Sequence, residues 1–166
     1  MSAIAFADTV NLPFKVIKQA LEGFTGVKRR GEMIGRINGV KAYGDYAHHP
    51  TEILNAIKCF DKNALVVFQP HTYSRTKYLL QDFVNVLKPL PKLIIYKTYP
   101  ARESFDGEGS AKRLCKEVQN AGVGICLYAH TKTALRRLIK KQISGCDSVV
   151  FIGAGDIYDL AKTFLD

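Results

Sequence analysis

Tryptophan is missing from the 166 residues and methionine occurs only twice. No apolar run reaches the roughly 18 residues of a membrane-crossing helix, which excludes a spanning segment. No basic stretch followed by an apolar core and a small-residue cleavage point opens the chain, so no secretory signal is expected and the expected setting is cytoplasmic. The four cysteines, Cys59, Cys115, Cys126 and Cys146, include no Cys-x-x-Cys pair. Without ligand spacing, neither zinc nor a disulfide framework is expected. Their place in or beside apolar runs suits small buried hydrophobes. A Gly-x-x-x-x-Gly-Lys-[Ser/Thr] phosphate loop is absent, and so is a Gly-x-Ser-x-Gly elbow, which leaves neither a phosphate-loop ATPase nor a serine hydrolase site in this stretch. Internal repeats and low-complexity segments are absent as well.

Acidic residues are few. Fifteen stand against 24 lysines and arginines, a formal net charge of +9. Basic excess alone is weak support for nucleic acid. The cations are scattered, and the tightest cluster, Arg136-Arg137 with Lys140-Lys141, falls within one helical pattern. An anionic small substrate accounts for the excess, and no nucleic-acid or membrane partner is expected.

What is present is a core-forming chain of single-domain length, 47% hydrophobic. Residues 2–7 form a small-residue apolar run with helical character, and Phe14, Ile17, Leu21 and Phe24 are spaced for one face of a helix opened by Pro13. Two such helices with so little partner sequence cannot bury both faces, so residues 1–25 are expected to be the end of a preceding domain. A basic linker, residues 26–31, leads into a strand over 32–37 that alternates, with Met33 and Gly35 on one face. Asn38-Gly39 then signals a hairpin whose returning strand ends at Asp45. Apolar runs at 64–68, 92–96, 123–128 and 148–152 read as buried strands. Between them lie helices from Pro50 (apolar face Ile53, Leu54, Ile57 and Phe60), over 75–88, from Ser110 to about Gln119, and from Thr131 to Ile143, with a final helix after Asp156. This alternation predicts an α/β fold with a mostly parallel sheet, helices on both faces and right-handed crossovers.

Two corners concentrate the chemistry. Asp45-Tyr-Ala-His-His-Pro-Thr-Glu52 and Gln69-Pro-His-Thr-Tyr-Ser-Arg-Thr76 each follow a strand and open a helix. In an open α/β sheet such corners share the edge where ligands bind. Adjacent His48 and His49 point apart in an extended segment, which disfavours a shared metal; imidazoles there suit a carboxylate or phosphate. Arg75, at a helix start, adds bidentate anion recognition to exposed N–H groups. Asp45 closes a strand where a carboxylate can accept ribose hydroxyls. Gly153-Ala-Gly155 lacks the third glycine of a dinucleotide fingerprint, and tight-turn geometry explains it without a cofactor.

Taken together, the two corner stretches resemble the C-terminal domain of the Mur ligases. Gly26-Val-Lys-Arg-Arg30, Tyr99-Pro-Ala-Arg-Glu103 and Gly153-Ala-Gly-Asp-Ile157 match in order and approximate spacing, and the likeness covers essentially the whole chain. The histidine pair before Pro-Thr-Glu52 favours the members that add L-alanine to UDP-N-acetylmuramate in peptidoglycan synthesis. The resemblance implies a Rossmann-like three-layer α/β/α domain over residues 26–166, beginning with a β-hairpin. It further implies N-terminal and central domains in the same chain, with ATP and Mg2+ bound mainly through the central domain. Arg30 is implied at the nucleotide phosphates and Asp45 at the ribose. Tyr46, His48, His71 and Arg75 are implied on the alanine and reacting-carboxylate side. Two positions depart from the family pattern: Gly44 replaces a usual aspartate, and Thr72 replaces a frequent arginine. Alternative readings are a free-standing nucleotide- or UDP-sugar-binding module, or a Mur-type ligase of the muropeptide-recycling or folylpolyglutamate kind.

Overall fold

The computed structural model describes residues 2–166. Unbroken apolar runs make strands that need cover on both faces. Ala64–Phe68 (β3) and Ser148–Ile152 (β6) are buried at every position, and Lys92–Tyr96 (β4) at all but its first. With Glu32–Ile37 (β1), Val40–Asp45 (β2) and Ile125–Ala129 (β5) they form one sheet in the order β1-β2-β6-β3-β4-β5. Only β1 and β2 pair antiparallel. Their Asn38-Gly39 turn has φ of 50° and 79°, as a two-residue hairpin of this type requires.

Helices α1 (Ser2–Thr9) and α2 (Phe14–Glu22) bury no residue, and Phe6, Phe14 and Phe24 are 68%, 75% and 61% exposed. Helix α3 (Pro50–Ile57) follows β2, and α4 (Tyr73–Tyr78) and α5 (Leu80–Leu87) follow β3. Next come α6 (Ala111–Asn120), α7 (Lys132–Gln142) and α8 (Ile157–Lys162). Ile53, Phe83 and Leu114, from α3, α5 and α6, meet Phe68 and Leu93 on one face of the sheet. Leu135 and Ile139 of α7 and Ile157 of α8 meet Phe151 and Val67 on the other. Burying one such side chain stabilises by about 1.5–3 kcal/mol, and these two layers hold the sheet edge in place. Ser110 and Thr131 cap α6 and α7, each accepting the N–H three residues on, as expected.

Four details differ from the sequence reading. The helix expected over 75–88 is two helices broken at Leu79, whose φ of −106° and ψ of 21° leave the helical region. The apolar spacing from Leu80 onward belongs to α5 alone, while Tyr78 is 83% exposed. Helix α4 instead follows the corner and packs against a 3₁₀ turn, Gly107–Gly109, whose glycine 109 leaves no room for a Cβ beside the Tyr73 carbonyl. The expected alternation that puts Met33 and Gly35 on one face is interrupted, because the β1–β2 register shifts between these two residues in a bulge; Met33 is exposed and Ile37 is buried. Leu54 and Cys59 are exposed, lying on the solvent side of α3 and just beyond it.

Gly44 has a steric explanation. A Cβ there would lie 2.7 Å from Cδ2 and 2.9 Å from Cε2 of the Tyr158 ring. The aspartate that the resemblance leads one to expect therefore has no space. Gly44→Asp is expected to destabilise the chain by about 1–3 kcal/mol through overpacking. The cost should shrink in a Tyr158→Ala background. Urea denaturation of the four chains forms the cycle, and additive effects would exonerate Tyr158.

Candidate functional site

The connection leaving β6 runs to one face of the sheet, while those leaving β2 and β3 run to the other. The carboxyl ends of β2, β6 and β3 therefore form a switch point of the sheet, the usual ligand position in open α/β folds. Gln69, fully buried, holds this edge together: its Nε2 donates to Asp156 Oδ1 at 2.7 Å and its Oε1 accepts the Ile157 N–H at 3.1 Å. Gly155 packs so closely that a Cβ would sit 2.5 Å from Gln69 Oε1 and 2.6 Å from Tyr99 Cγ. Close packing against Gln69 and Tyr99 accounts for Gly155, and Gly153 at φ 153° lies against the Gln69 carbonyl.

Asp45 is buried. Its Oδ2 accepts the Gly31 N–H and its Oδ1 the Ala47 N–H, each at 2.8 Å. These bonds fasten the basic linker to the edge, and Tyr46 adds an N–H to the Arg29 carbonyl at 2.7 Å. The two linker arginines then diverge. Arg29 is half-buried, its guanidinium 4.9 and 5.0 Å from the ring centres of Tyr46 and Tyr158, donating to the Gly155 carbonyl at 2.9 Å. Its backbone N–H and the Tyr158 hydroxyl both donate to Glu32, and these bonds hold the Glu32 carboxyl below its ordinary range. Arg30 is exposed, its guanidinium 5.5 Å from the Tyr46 ring centre.

Tyr46, His48, His71 and Arg75 come together as expected. Tyr46 meets His48 edge-on at 5.3 Å, and the His48 and His71 ring centres are 5.9 Å apart. The Arg75 guanidinium donates to His71 Nδ1 at 3.3 Å, which assigns the His71 proton to Nε2. His48 Nδ1 faces two acceptors, the Tyr46 carbonyl at 3.0 Å and Glu52 Oε2 at 3.3 Å, so its proton belongs on Nδ1. His49 turns away and caps α3 through the Thr51 N–H, so the adjacent pair does point apart.

The start of α4 departs from expectation. Its Ser74 N–H is taken by the Glu103 carboxylate at 2.9 Å and its Arg75 N–H by Thr72 Oγ1 at 3.4 Å. The backbone there is satisfied from within the fold, and only the Arg75 side chain is left for an anion. Thr72 occupies this corner at φ 66° and ψ 144°, a conformation costly for a β-branched residue. Its N–H bond to the Tyr99 carbonyl at 2.8 Å and its cap on α4 hold it there.

Three residues of the cluster lie in stretches that the sequence reading quoted without giving them a role. Tyr99 stacks on His71 at 5.4 Å, Glu103 anchors Ser74, and Glu52 accepts the His48 N–H at 3.0 Å. The signal was available, because the loop from Tyr99 also follows a strand and so reaches the same edge. The assembled edge presents cations and hydrogen-bond donors. Such groups orient an anionic ligand and stabilise charge that develops on it.

The profile of the family described as "Mur ligase, glutamate ligase domain" matches residues 29–155. The chain belongs to the Mur ligase family. It is 38% identical over 170 residues to the UDP-N-acetylmuramate–L-alanine ligase of Clostridium novyi, covering 100% of this chain and 37% of that protein. With the ligase of the same name from Aquifex aeolicus it shares 39% over 170 residues, 99% of this chain and 36% of that protein. The chain thus spans little more than a third of these relatives' length. In fold it is similar to the murein peptide ligase mpl of Psychrobacter arcticus (TM-score 0.65, 21% identity, 98% of this chain and 34% of that one). It is also similar to a folylpolyglutamate synthase of Mycobacterium tuberculosis (TM-score 0.62, 14% identity, 92% of this chain and 35% of that one). Among the described residues, no helix is long and apolar enough to cross a membrane.

In this Mur ligase domain, partial burial above all, then the charges of Arg75 and His48, hold the His71 pKa below its ordinary value. The folded state therefore keeps His71 neutral where the unfolded chain would take up a proton. Stability from this source is complete above the ordinary histidine pKa of about 6.5 and is lost as pH falls through the window below it. His71→Gln is expected to flatten this part of the acid dependence of urea-unfolding midpoints between about pH 7.5 and 5. An unchanged slope would show that His71 does not carry it.

Proposed function

We propose that the chain is the C-terminal domain of an ATP-dependent ligase that joins L-alanine to UDP-N-acetylmuramate. The observation that carries this reading is the grouping of Tyr46, His48, His71 and Arg75 on one edge, with Arg30 exposed on the adjoining linker. Relatives bearing that name match essentially the whole chain. Residues 26–166 form the closing domain and residues 1–25 the end of a central domain, whose surface would cover the apolar faces of α1 and α2. The enzyme belongs to a cytoplasmic pathway of cell-wall synthesis.

In the proposed reaction the ATP γ-phosphate passes to the muramoyl carboxylate. The amine of L-alanine attacks the acyl phosphate and phosphate departs. This domain's part is positional. Arg30 meets the nucleotide phosphates. Asp45 serves the ribose side, both through its own carboxylate and by fastening the Arg30 linker. Tyr46, His48, His71 and Arg75 orient the alanine and the reacting carboxylate, with His71 Nε2–H as a neutral donor and Arg75 as the cation. Mg2+ would neutralise phosphate charge in such a reaction. It does not fit here, because among the described residues no three metal-ligating side chains converge. Its ligands are assigned to the central domain.

The test is ATP-dependent phosphate release by the full-length protein with UDP-N-acetylmuramate and each of L-alanine, glycine and L-serine. Release that requires the UDP-sugar and is fastest with alanine is expected. Release with a muropeptide or folate acceptor instead would point to another Mur-type ligase, and none at all to a binding module. The 166-residue chain, which lacks a phosphate loop, is expected to neither hydrolyse ATP nor ligate alanine.

Roles separate by KM. A lost charged hydrogen bond costs roughly 1.5–3 kcal/mol, or about tenfold to a hundredfold. Arg30→Ala and Asp45→Ala should raise KM for ATP by that factor more than KM for alanine. His48→Ala and Arg75→Ala should do the reverse. Equal shifts in both constants would refute this division.

A further inference from the structure

On the flank of the sheet opposite the hairpin, α6 turns at Gly122 into β5. Cys115 of α6 and Cys126 of β5 lie eleven positions apart, without redox-motif spacing, yet the fold brings their sulfurs to 3.3 Å. Both are buried, at 3% and 5% exposure. A disulfide bond would bring the sulfurs closer by roughly 1 Å. Cys115 also lines an open pocket of about 610 Å³, together with Gln119 and Tyr128, under a rim that includes Lys112, Arg113 and Lys116. Arg113 is paired with Glu108, and among the described residues Lys112 and Lys116 have no ion-pair partner. The sequence reading expected no disulfide, and both cysteines are free thiols here. Neither touches the edge assigned to the ligase reaction.

We propose that Cys115 and Cys126 form a thiol–disulfide exchange site, oxidised to an intramolecular disulfide by a small anionic disulfide that enters this pocket. The Cys115 thiolate attacks one sulfur of the small disulfide, whose S–S bond breaks. The first small thiolate leaves and is protonated, and a mixed disulfide remains on Cys115. Cys126 then loses its proton and attacks Cys115 Sγ, and the second small thiol leaves. The two cysteines give up two electrons and two protons, and one disulfide is reduced to two thiols. The order follows from the pair: the Cys126 hydrogen bond draws the Cys115 thiol down, while the same bond and burial push Cys126 up. Cys115 lines the pocket and is the sulfur that attacks; Cys126, behind it, resolves.

The experiment uses the 166-residue chain carrying Cys59→Ser, which removes the one exposed thiol. It is incubated with excess oxidised glutathione near pH 8, quenched in acid, unfolded, alkylated and mapped by mass spectrometry. The expected product is a Cys115–Cys126 cross-linked peptide, with an intact mass lower by two hydrogens and restored by dithiothreitol. In Cys126→Ala the reaction should halt at glutathione on Cys115. Complete alkylation of both cysteines with no cross-link would overturn the proposal, and so would a mixed disulfide that gathers only on Cys126. Lys112→Glu combined with Lys116→Glu should slow the reaction with oxidised glutathione by about tenfold while leaving that with neutral 2-hydroxyethyl disulfide unchanged, because only the anion is steered by the rim. A rate with oxidised glutathione that is the same in that variant as in its parent would overturn the pocket as the route.

Discussion

The carboxylate of Asp45 accepts a backbone N–H from each side of the site, Gly31 in the linker and Ala47 in the corner after β2. Hydrogen bonds to an ionised acceptor are the strong kind, roughly 1.5–3 kcal/mol each, and burial leaves little water to compete for them. Much of the edge depends on this pair. With Gly31 fastened, Arg29 is inserted between Tyr46 and Tyr158 and reaches the Gly155 carbonyl. The ends of β2 and β6 and the linker become one unit, and Arg30 is left projecting from it.

A division of labour runs through the whole edge. Most groups that could have bound a ligand are occupied by the fold. Glu103 fills the start of α4, Glu52 accepts the N–H groups of His48 and His49, and Gln69 joins Asp156 to the start of α8. These bonds place the few side chains that remain open. Tyr99 stacks on His71 from one side while Arg75 bonds its Nδ1, so that ring has a set tautomer and a set orientation. Pre-organisation of this sort lowers the cost of orienting a reacting pair. The strained Thr72 fits the same pattern: its unusual backbone lets one residue bond Tyr99 and cap α4 at once.

Pattern and spacing alone determined the alternation of strands and helices, the Asn-Gly hairpin and the starts of α6 and α7. These are local: an apolar run, a cap or a turn dipeptide acts within a few residues, so its signature lies in the string. The two histidine-bearing corners were legible for the same reason, since each is a strand end followed by a helix start. Which helices cover which face depended on strand order, above all on β6 inserting between β2 and β3, and no residue announces that. Only the tertiary structure separated Arg29 from Arg30, neighbours of one type that end on opposite sides of a packing boundary. It alone filled the start of α4 with Glu103, broke a helix at Leu79 and set Cys115 beside Cys126. Each of these outcomes depends on contacts between segments far apart in the chain or on the packing of one element against the next, where the geometry of the sheet, and not the order of residues, decides what meets.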